Sequence, residues 1–215
     1  MPEFKQTFII TSVIYFSQRK LSNSAVRSVF TPEERTIQTA KTINSIREKA
    51  PGAFIILLEM GKEKNIAEDL IRMVDKYVFI GNRTLVKWAV NGKFRGLGEA
   101  MGLIVSKKEL YTGADFFFKM SGRYFLNDDF DLKLWKDNFF LARKYERGIS
   151  TRLYGFSKEF FAAWQKALKR SLVQLFRGQS IEDVLPAKLG KEKIHAVKKL
   201  GVAGYVAPDG AYLEE

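Results

Sequence analysis

The sequence predicts an α/β protein: a three-layer sandwich with a mostly parallel central sheet and an α+β second half. Three observations carry this. Short runs of β-branched and aromatic residues alternate with helical stripes through the first half, and that alternation implies parallel strands with crossover helices. Phe116-Phe117-Phe118 is too short to span a bilayer and shows no helical period, which fits a strand buried on both faces at the centre of a sheet. The length of 215 residues, 46% of them hydrophobic and 28% charged, suits one large domain with a sizeable core.

In chain order, Thr7–Phe16 reads as a first, mostly buried strand. A polar loop from Ser17 to Ser28 carries Arg19, Lys20 and Arg27. Thr31-Pro32-Glu33-Glu34 is a capping box with proline in the first turn, so a helix follows, with Ile37, Ala40, Ile43 and Ile46 on one side and Pro51-Gly52 at its stop. Ala53–Leu58 is the second strand, ending at Glu59. Ala67, Leu70, Ile71 and Val74 make a helical stripe, and Tyr77–Ile80 a third strand. Gly96-Leu97-Gly98 precedes a helix over Ala100–Lys108, an arrangement that lets backbone amides face an anion, without the full dinucleotide fingerprint of a Rossmann dehydrogenase. The triple-phenylalanine strand comes next and breaks at Ser121-Gly122-Arg123, where glycine permits a close turn and arginine supplies a rigid fork of donors.

In the second half, Phe139–Ala142 and Ser150–Tyr154 are strand-like. Ser157 is placed as the cap of a long helix to Phe176, whose apolar side holds Phe160, Phe161, Trp164, Leu168 and Leu172. Ser180 caps a further helix with Glu182 and Asp183 in its first turn, where the helix dipole favours carboxylates; capping accounts for both, and a glutamate there can also serve as a base. Gly201–Tyr212 closes as a strand, an Asp-Gly turn and a last strand.

Composition restricts the chemistry. The chain has no cysteine and one histidine, which excludes disulfides, thiolate metal sites and cysteine nucleophiles, and argues against a His-rich metal site or a Ser-His-Asp hydrolase. The net charge of +12 favours anionic partners: a nucleotide diphosphate, nucleic acid, an acidic glycan or a membrane surface. Five lysines with His195 crowd Lys188–Lys199 and read as a solvated helix face or as a peripheral membrane contact. The N-terminus lacks the basic flank and apolar core of a signal peptide, so a cytoplasmic location is expected.

Ligands of open α/β sheets gather at the carboxyl ends of central strands, which nominates Glu59, Lys119, Ser121, Gly122 and Arg123. With Ser28–Arg35, Lys119–Tyr124, Ser150–Tyr154 and Gly178–Glu182, the layout resembles nucleotide-sugar glycosyltransferases of the GT-A type over most of the chain. The resemblance implies one glycosyltransferase-like domain, 1–215, with a nucleotide-binding half at 1–131 and an acceptor half at 132–215. It implies a nucleotide-diphosphate sugar as donor and a glycan, lipid-linked or protein-linked hydroxyl as acceptor. Thr11, Ser12 and Glu59 would meet the base and ribose, Arg27 or Arg35 the phosphates, Arg152 and Tyr154 the acceptor, and Glu182 would be the base of an inverting enzyme; a retaining enzyme would need none.

One departure stands out. Where such proteins place an Asp-x-Asp that holds a divalent cation, this chain has Ser121-Gly122-Arg123. Either Arg123 with Lys119 supplies the positive charge, which is the favoured reading because a guanidinium neutralises a departing phosphate without a cation, or Asp129 and Asp131 downstream hold Mn2+ or Mg2+. Two other classes stay open: a nucleic-acid or anionic-surface binding module, suggested by charge and by Phe94, Tyr111 and Tyr145 beside basic residues but without any nucleic-acid-binding signature, and another nucleotide-dependent α/β transferase such as a nucleotidyltransferase or methyltransferase.

Overall fold

The computed structural model describes residues 5–21, 24–94, 96–135 and 139–215. Among the described residues ten strands and seven α-helices follow one another as β1 (Gln6–Ser12), α1 (Pro32–Lys49), β2 (Phe54–Glu59), α2 (Glu68–Arg72), β3 (Lys76–Phe79), α3 (Thr84–Asn91), α4 (Leu97–Val105), α5 (Lys107–Leu110), β4 (Phe116–Ser121), β5 (Tyr124–Leu126), β6 (Phe140–Lys144), β7 (Ile149–Ser157), α6 (Phe161–Phe176), α7 (Ile181–Leu189), β8 (Ile194–Ala196), β9 (Val202–Tyr205) and β10 (Tyr212–Glu214). The main sheet has the order β3-β2-β1-β4-β7-β6-β8, and β10-β9-β5 form a second, antiparallel sheet. β1 to β4 pair in parallel, β8 is parallel to β6, and β7 is antiparallel to both its neighbours, so β7 alone opposes the other strands. The mostly parallel sheet with an α+β second half is thus as the sequence predicts.

Side-chain alternation along the strands builds the three layers. Phe8, Ile10, Ile55, Leu57, Phe116 and Phe118 pack with Ile43 and Ile46 of α1. On the opposite face Ile9, Ile56, Leu58 and Phe117 pack with Val86, Leu97, Leu103, Trp164 and Leu168 of α3, α4 and α6. The phenylalanine strand β4 lies at the middle of the sheet. Phe118 sits opposite Phe8 of β1, with ring centroids 4.3 Å apart in a stacked pair, so cross-strand ring contact reinforces burial there.

Local chemistry sets the element ends. Thr31 and Glu34 form the reciprocal capping box at α1, and the Ser180 hydroxyl accepts from the Asp183 amide 3.3 Å away at α7. Ser157 differs from expectation: it precedes a 3-10 turn, Lys158–Phe160, and its side chain makes no capping hydrogen bond; α6 begins four residues later because the turn carries the chain off the end of β7. The lysine-rich 188–199 stretch is no helix face: it runs through the end of α7, a 3-10 turn and β8, with Lys199 paired to Asp129 at 3.1 Å and His195 stacked on Phe139. Asp209-Gly210 makes the expected turn between β9 and β10, with Gly210 at φ +73°. Among the described residues no helix is long and apolar enough to cross a membrane.

Candidate active-site cleft

A cleft of about 220 Å3 opens where β1 and β4 end and antiparallel β7 begins. Because β7 runs against its neighbours, residues from its early part, Thr151 and Arg152, lie beside the last residues of β4. The strand ends contribute Thr11, Ser12, Ser121, Gly122 and Arg123; the loop after β1 contributes Arg27, and α1 contributes Arg35. Glu182 enters from the first turn of α7.

The Ser121-Gly122-Arg123 turn is pressed against its neighbours. The Gly122 amide donates to the Thr11 carbonyl at 2.9 Å, and its carbonyl accepts from the Thr39 hydroxyl at 3.1 Å. A Cβ on Gly122 would lie 3.2 Å from Ile10 Cγ2 and 3.3 Å from the Thr11 oxygen, so glycine here allows the backbone to cross close over β1. The Arg123 guanidinium lies 5.8 Å from the Tyr124 ring centroid.

Arg27 and Arg35 are held by backbone carbonyls. Arg27 donates to the Arg19, Val90 and Gly92 carbonyls, tying the loop after β1 to the end of α3. Its pKa is lowered by burial and then by Arg19. Arg35 is buried, donates to the Val13 carbonyl and lies 4.3 Å from the Phe16 ring centroid. Burial, then repulsion from Arg123 and Arg27 outweighing the pull of Glu59, lowers its pKa to about 9. Like charges are therefore concentrated in a partly desolvated space, a field that favours an anion. Arg152 donates to Tyr145 and Glu215, both at 3.0 Å. The Glu182 carboxylate accepts from the Thr151 hydroxyl at 3.0 Å.

Four of the residues nominated from the sequence, with the two aspartates, are placed otherwise than expected. Glu59 is fully buried beneath the cleft and does not line it. One of its oxygens accepts from the amides of Ile14 (3.0 Å) and Gly61 (2.6 Å), the other from the Ser12 hydroxyl, so both oxygens are engaged in shaping the loop after β1. Lys119 is fully buried and bound to Glu99 at 2.5 Å and to the Thr151 carbonyl at 2.8 Å, so its charge is spent on Glu99 and does not reach the cleft. Tyr154 is a core residue whose hydroxyl accepts from Trp164 Nε1 at 3.1 Å. Ser12 lines the cleft, but its hydroxyl is committed to Glu59. Asp129 pairs with Lys199, and Asp131 accepts from the Lys133 amide at 2.9 Å, both away from the cleft.

Glu99 and Thr151, which sequence reasoning did not nominate, and Phe94, which it named only as an aromatic beside basic residues, also line the cleft. The Gly-x-Gly signal marks the right neighbourhood: Gly96, in the left-handed region at φ +81°, is the N-cap of α4, and Gly98 lets α4 approach Val90 of α3, since a Cβ there would lie 2.8 Å from Val90.

Both carboxylates that line the cleft already have protein partners. Of the cleft carboxylates, Glu99 is bound to Lys119 and Glu182 holds Thr151, and no group of three or more acidic, histidine or cysteine side chains gathers among the described residues. Hard cations need several oxygen ligands on one point.

No known protein family and no curated protein matches the chain by sequence. Solved structures match by shape. The galactosyltransferase LgtC, in complex with donor and acceptor sugar analogues, aligns with a TM-score of 0.58 at 9% identity, over 95% of this chain and 88% of that one. The CTP:phosphocholine cytidylyltransferase LicC of Streptococcus pneumoniae aligns with a TM-score of 0.52 at 11% identity, over 93% and 92%. The chain also spans 38% of the length of the WbbM bifunctional glycosyltransferase, at TM-score 0.49, 11% identity and 88% coverage of this chain. The protein therefore has the GT-A, or nucleotide-diphospho-sugar transferase, fold. That fold serves glycosyltransferases and nucleotidyltransferases alike.

Proposed function

We propose that the protein is a glycosyltransferase that moves a sugar from a nucleotide-diphosphate donor to a hydroxyl acceptor, with guanidinium groups in place of a cation. The observation that carries this is Arg123 at the end of β4, in a cleft that also contains Arg27 and Arg35. The acceptor hydroxyl attacks the anomeric carbon as the bond from that carbon to the diphosphate oxygen breaks. Negative charge develops on the leaving diphosphate, where fixed positive charge in a water-poor site stabilises it most. The acceptor proton passes to Glu182, oriented through one oxygen by Thr151, a geometry suited to general-base catalysis and to inversion at the sugar. Thr11 and the Ser12 backbone would line the nucleoside side, and Arg152 the acceptor side.

Thermal melting with nucleoside diphosphates, with and without manganese, tests the binding step, because a ligand that binds only the folded state raises the melting temperature. The expected result is stabilisation by at least one nucleoside diphosphate independent of manganese. Stabilisation that requires the metal, or no response to any nucleotide, would overturn the reading. Incubation with nucleoside triphosphates separates the second chemistry of this fold: release of pyrophosphate would assign the protein to nucleotidyl transfer instead.

A further inference from the structure

Beside the cleft mouth, α3 and α6 expose large apolar side chains that the interior does not use. Leu85 and Trp88 on α3 are 60% and 50% exposed, and Val173 and Phe176 on α6 are 59% and 51% exposed. They form one patch, because Trp88 stacks on Phe176 with ring centroids 5.4 Å apart, and Phe94 packs against Phe176 at 5.5 Å. Phe94 also lines the cleft, so patch and cleft share a wall.

The charged side chains that these two stretches contribute are of one sign. Lys87, Lys93, Lys166, Lys169, Arg170 and Arg177 are all exposed, and neither stretch 84–94 nor stretch 161–181 contains an aspartate or glutamate. On α6 and its C-cap the cations and Val173 recur at positions 166, 169, 170, 173 and 177, the spacing that keeps them on one helix side. Half-exposed tryptophan and phenylalanine surrounded by lysine and arginine match the two layers of an anionic bilayer surface: rings at headgroup depth, cations against phosphates. An acidic protein groove would meet the cations and leave the rings without an apolar layer. A nucleic acid would offer phosphates to the cations but no hydrocarbon layer to Leu85 and Val173, exposed aliphatic side chains that cannot stack on bases.

We propose that the face formed by α3 and α6 docks on an anionic lipid surface, with Leu85, Trp88, Val173 and Phe176 inserted at the interface and the basic rim against lipid phosphates. Docking holds the cleft mouth at the bilayer. The consequence that the acceptor hydroxyl belongs to a lipid-embedded molecule rests on the transferase reading, whereas docking itself does not. This places the membrane contact on α3 and α6 and not on the lysine-rich 188–199 stretch, where Lys199 is already paired with Asp129.

Co-sedimentation of the full chain with vesicles is the test. The expected result is binding to phosphatidylcholine vesicles that contain phosphatidylglycerol, at least about tenfold stronger than to phosphatidylcholine alone, and weakened by salt. Trp88→Glu combined with Val173→Glu should lose about tenfold or more of that binding. Lys169→Glu with Arg170→Glu, which touches no ring, should do the same and keeps the test open if the first pair misfolds. Both should retain the wild-type melting temperature, and with it whatever nucleoside diphosphate response wild type shows, so a lost vesicle signal in a folded variant marks the docking face alone. Absence of vesicle binding, equal binding by a folded charge-reversed variant, or single-stranded RNA displacing the vesicles at physiological salt would overturn the proposal.

Discussion

Glu59 offers the clearest separation of scaffold from chemistry. Replacing it by alanine strands the amides of Ile14 and Gly61 and the Ser12 hydroxyl, all of which donate to it in a region closed to water. Each orphaned buried donor costs roughly 1 to 3 kcal/mol, so the two amides alone imply a loss of about 2 to 6 kcal/mol, before any allowance for the hydroxyl or for the space left behind. Glutamine keeps an oxygen for the two amides and can donate to the Ser12 oxygen, so Glu59→Gln should fold, with nearly wild-type stability near pH 4.5. The pH dependence distinguishes them further. Burial raises the Glu59 pKa above its ordinary 4.5, against the lowering pull of Ser12, Ile14, Gly61 and Arg35. A carboxyl whose folded pKa is raised contributes stability that is fully present below the unfolded value and is lost as pH climbs through the folded value. The advantage of Glu59→Gln over wild type should therefore be smallest near pH 4.5 and grow toward neutral pH. Urea titration across that range, with the nucleoside diphosphate melting shift measured in parallel, decides the point. If Glu59→Gln is as stable as wild type yet loses the nucleotide response, the carboxylate contacts ligand after all; if Glu59→Ala loses less than about 1 kcal/mol, the anchoring role is refuted.

Arg123→Ala should cost about 100-fold to 1,000-fold in transfer while urea midpoints stay near wild type, and unchanged transfer would remove the guanidinium from the mechanism. Glu182→Gln should abolish sugar transfer but preserve nucleotide binding, read by a wild-type melting shift with no product. Lys119→Met leaves Glu99 without its cation and the Thr151 carbonyl without its donor, so a loss of about 3 kcal/mol is expected in urea, with recovery when Glu99→Gln is added. Phe117→Ala opens a cavity among Phe156, Phe161 and Tyr111 and should lower stability by about 3 to 5 kcal/mol.

Strand order along the first half was legible because each buried run is bracketed by a capping box, a Pro-Gly stop or a helical stripe. The α3 helix was not: Val86, Trp88 and Val90 repeat every second residue as in a strand, and no side chain caps its start. The cleft was legible where a residue stands at a strand terminus, as with Thr11, Ser121 and Arg123. It was misread one step deeper. Lys119 and Tyr154 pair with one another across β4 and β7, inside the sheet and not at its rim, and Lys119 shares the strand parity of buried Phe117. Strand parity alone would have turned that lysine toward α4 and Glu99. For Glu59 no periodicity helps, because whether a terminal carboxylate turns outward or back beneath the next loop depends on which amides of that loop lack acceptors.

The central position of β4 also bears on how the chain is made. β1 finds one neighbour as soon as β2 emerges from the ribosome, but its other edge has no partner until Phe116–Ser121 is synthesised, and that strand in turn awaits β7. Throughout that interval an apolar strand edge is open to any passing chain. Production at high translation rates should consequently favour inclusion bodies, and slower synthesis or abundant chaperone should rescue soluble yield without any change in the finished molecule.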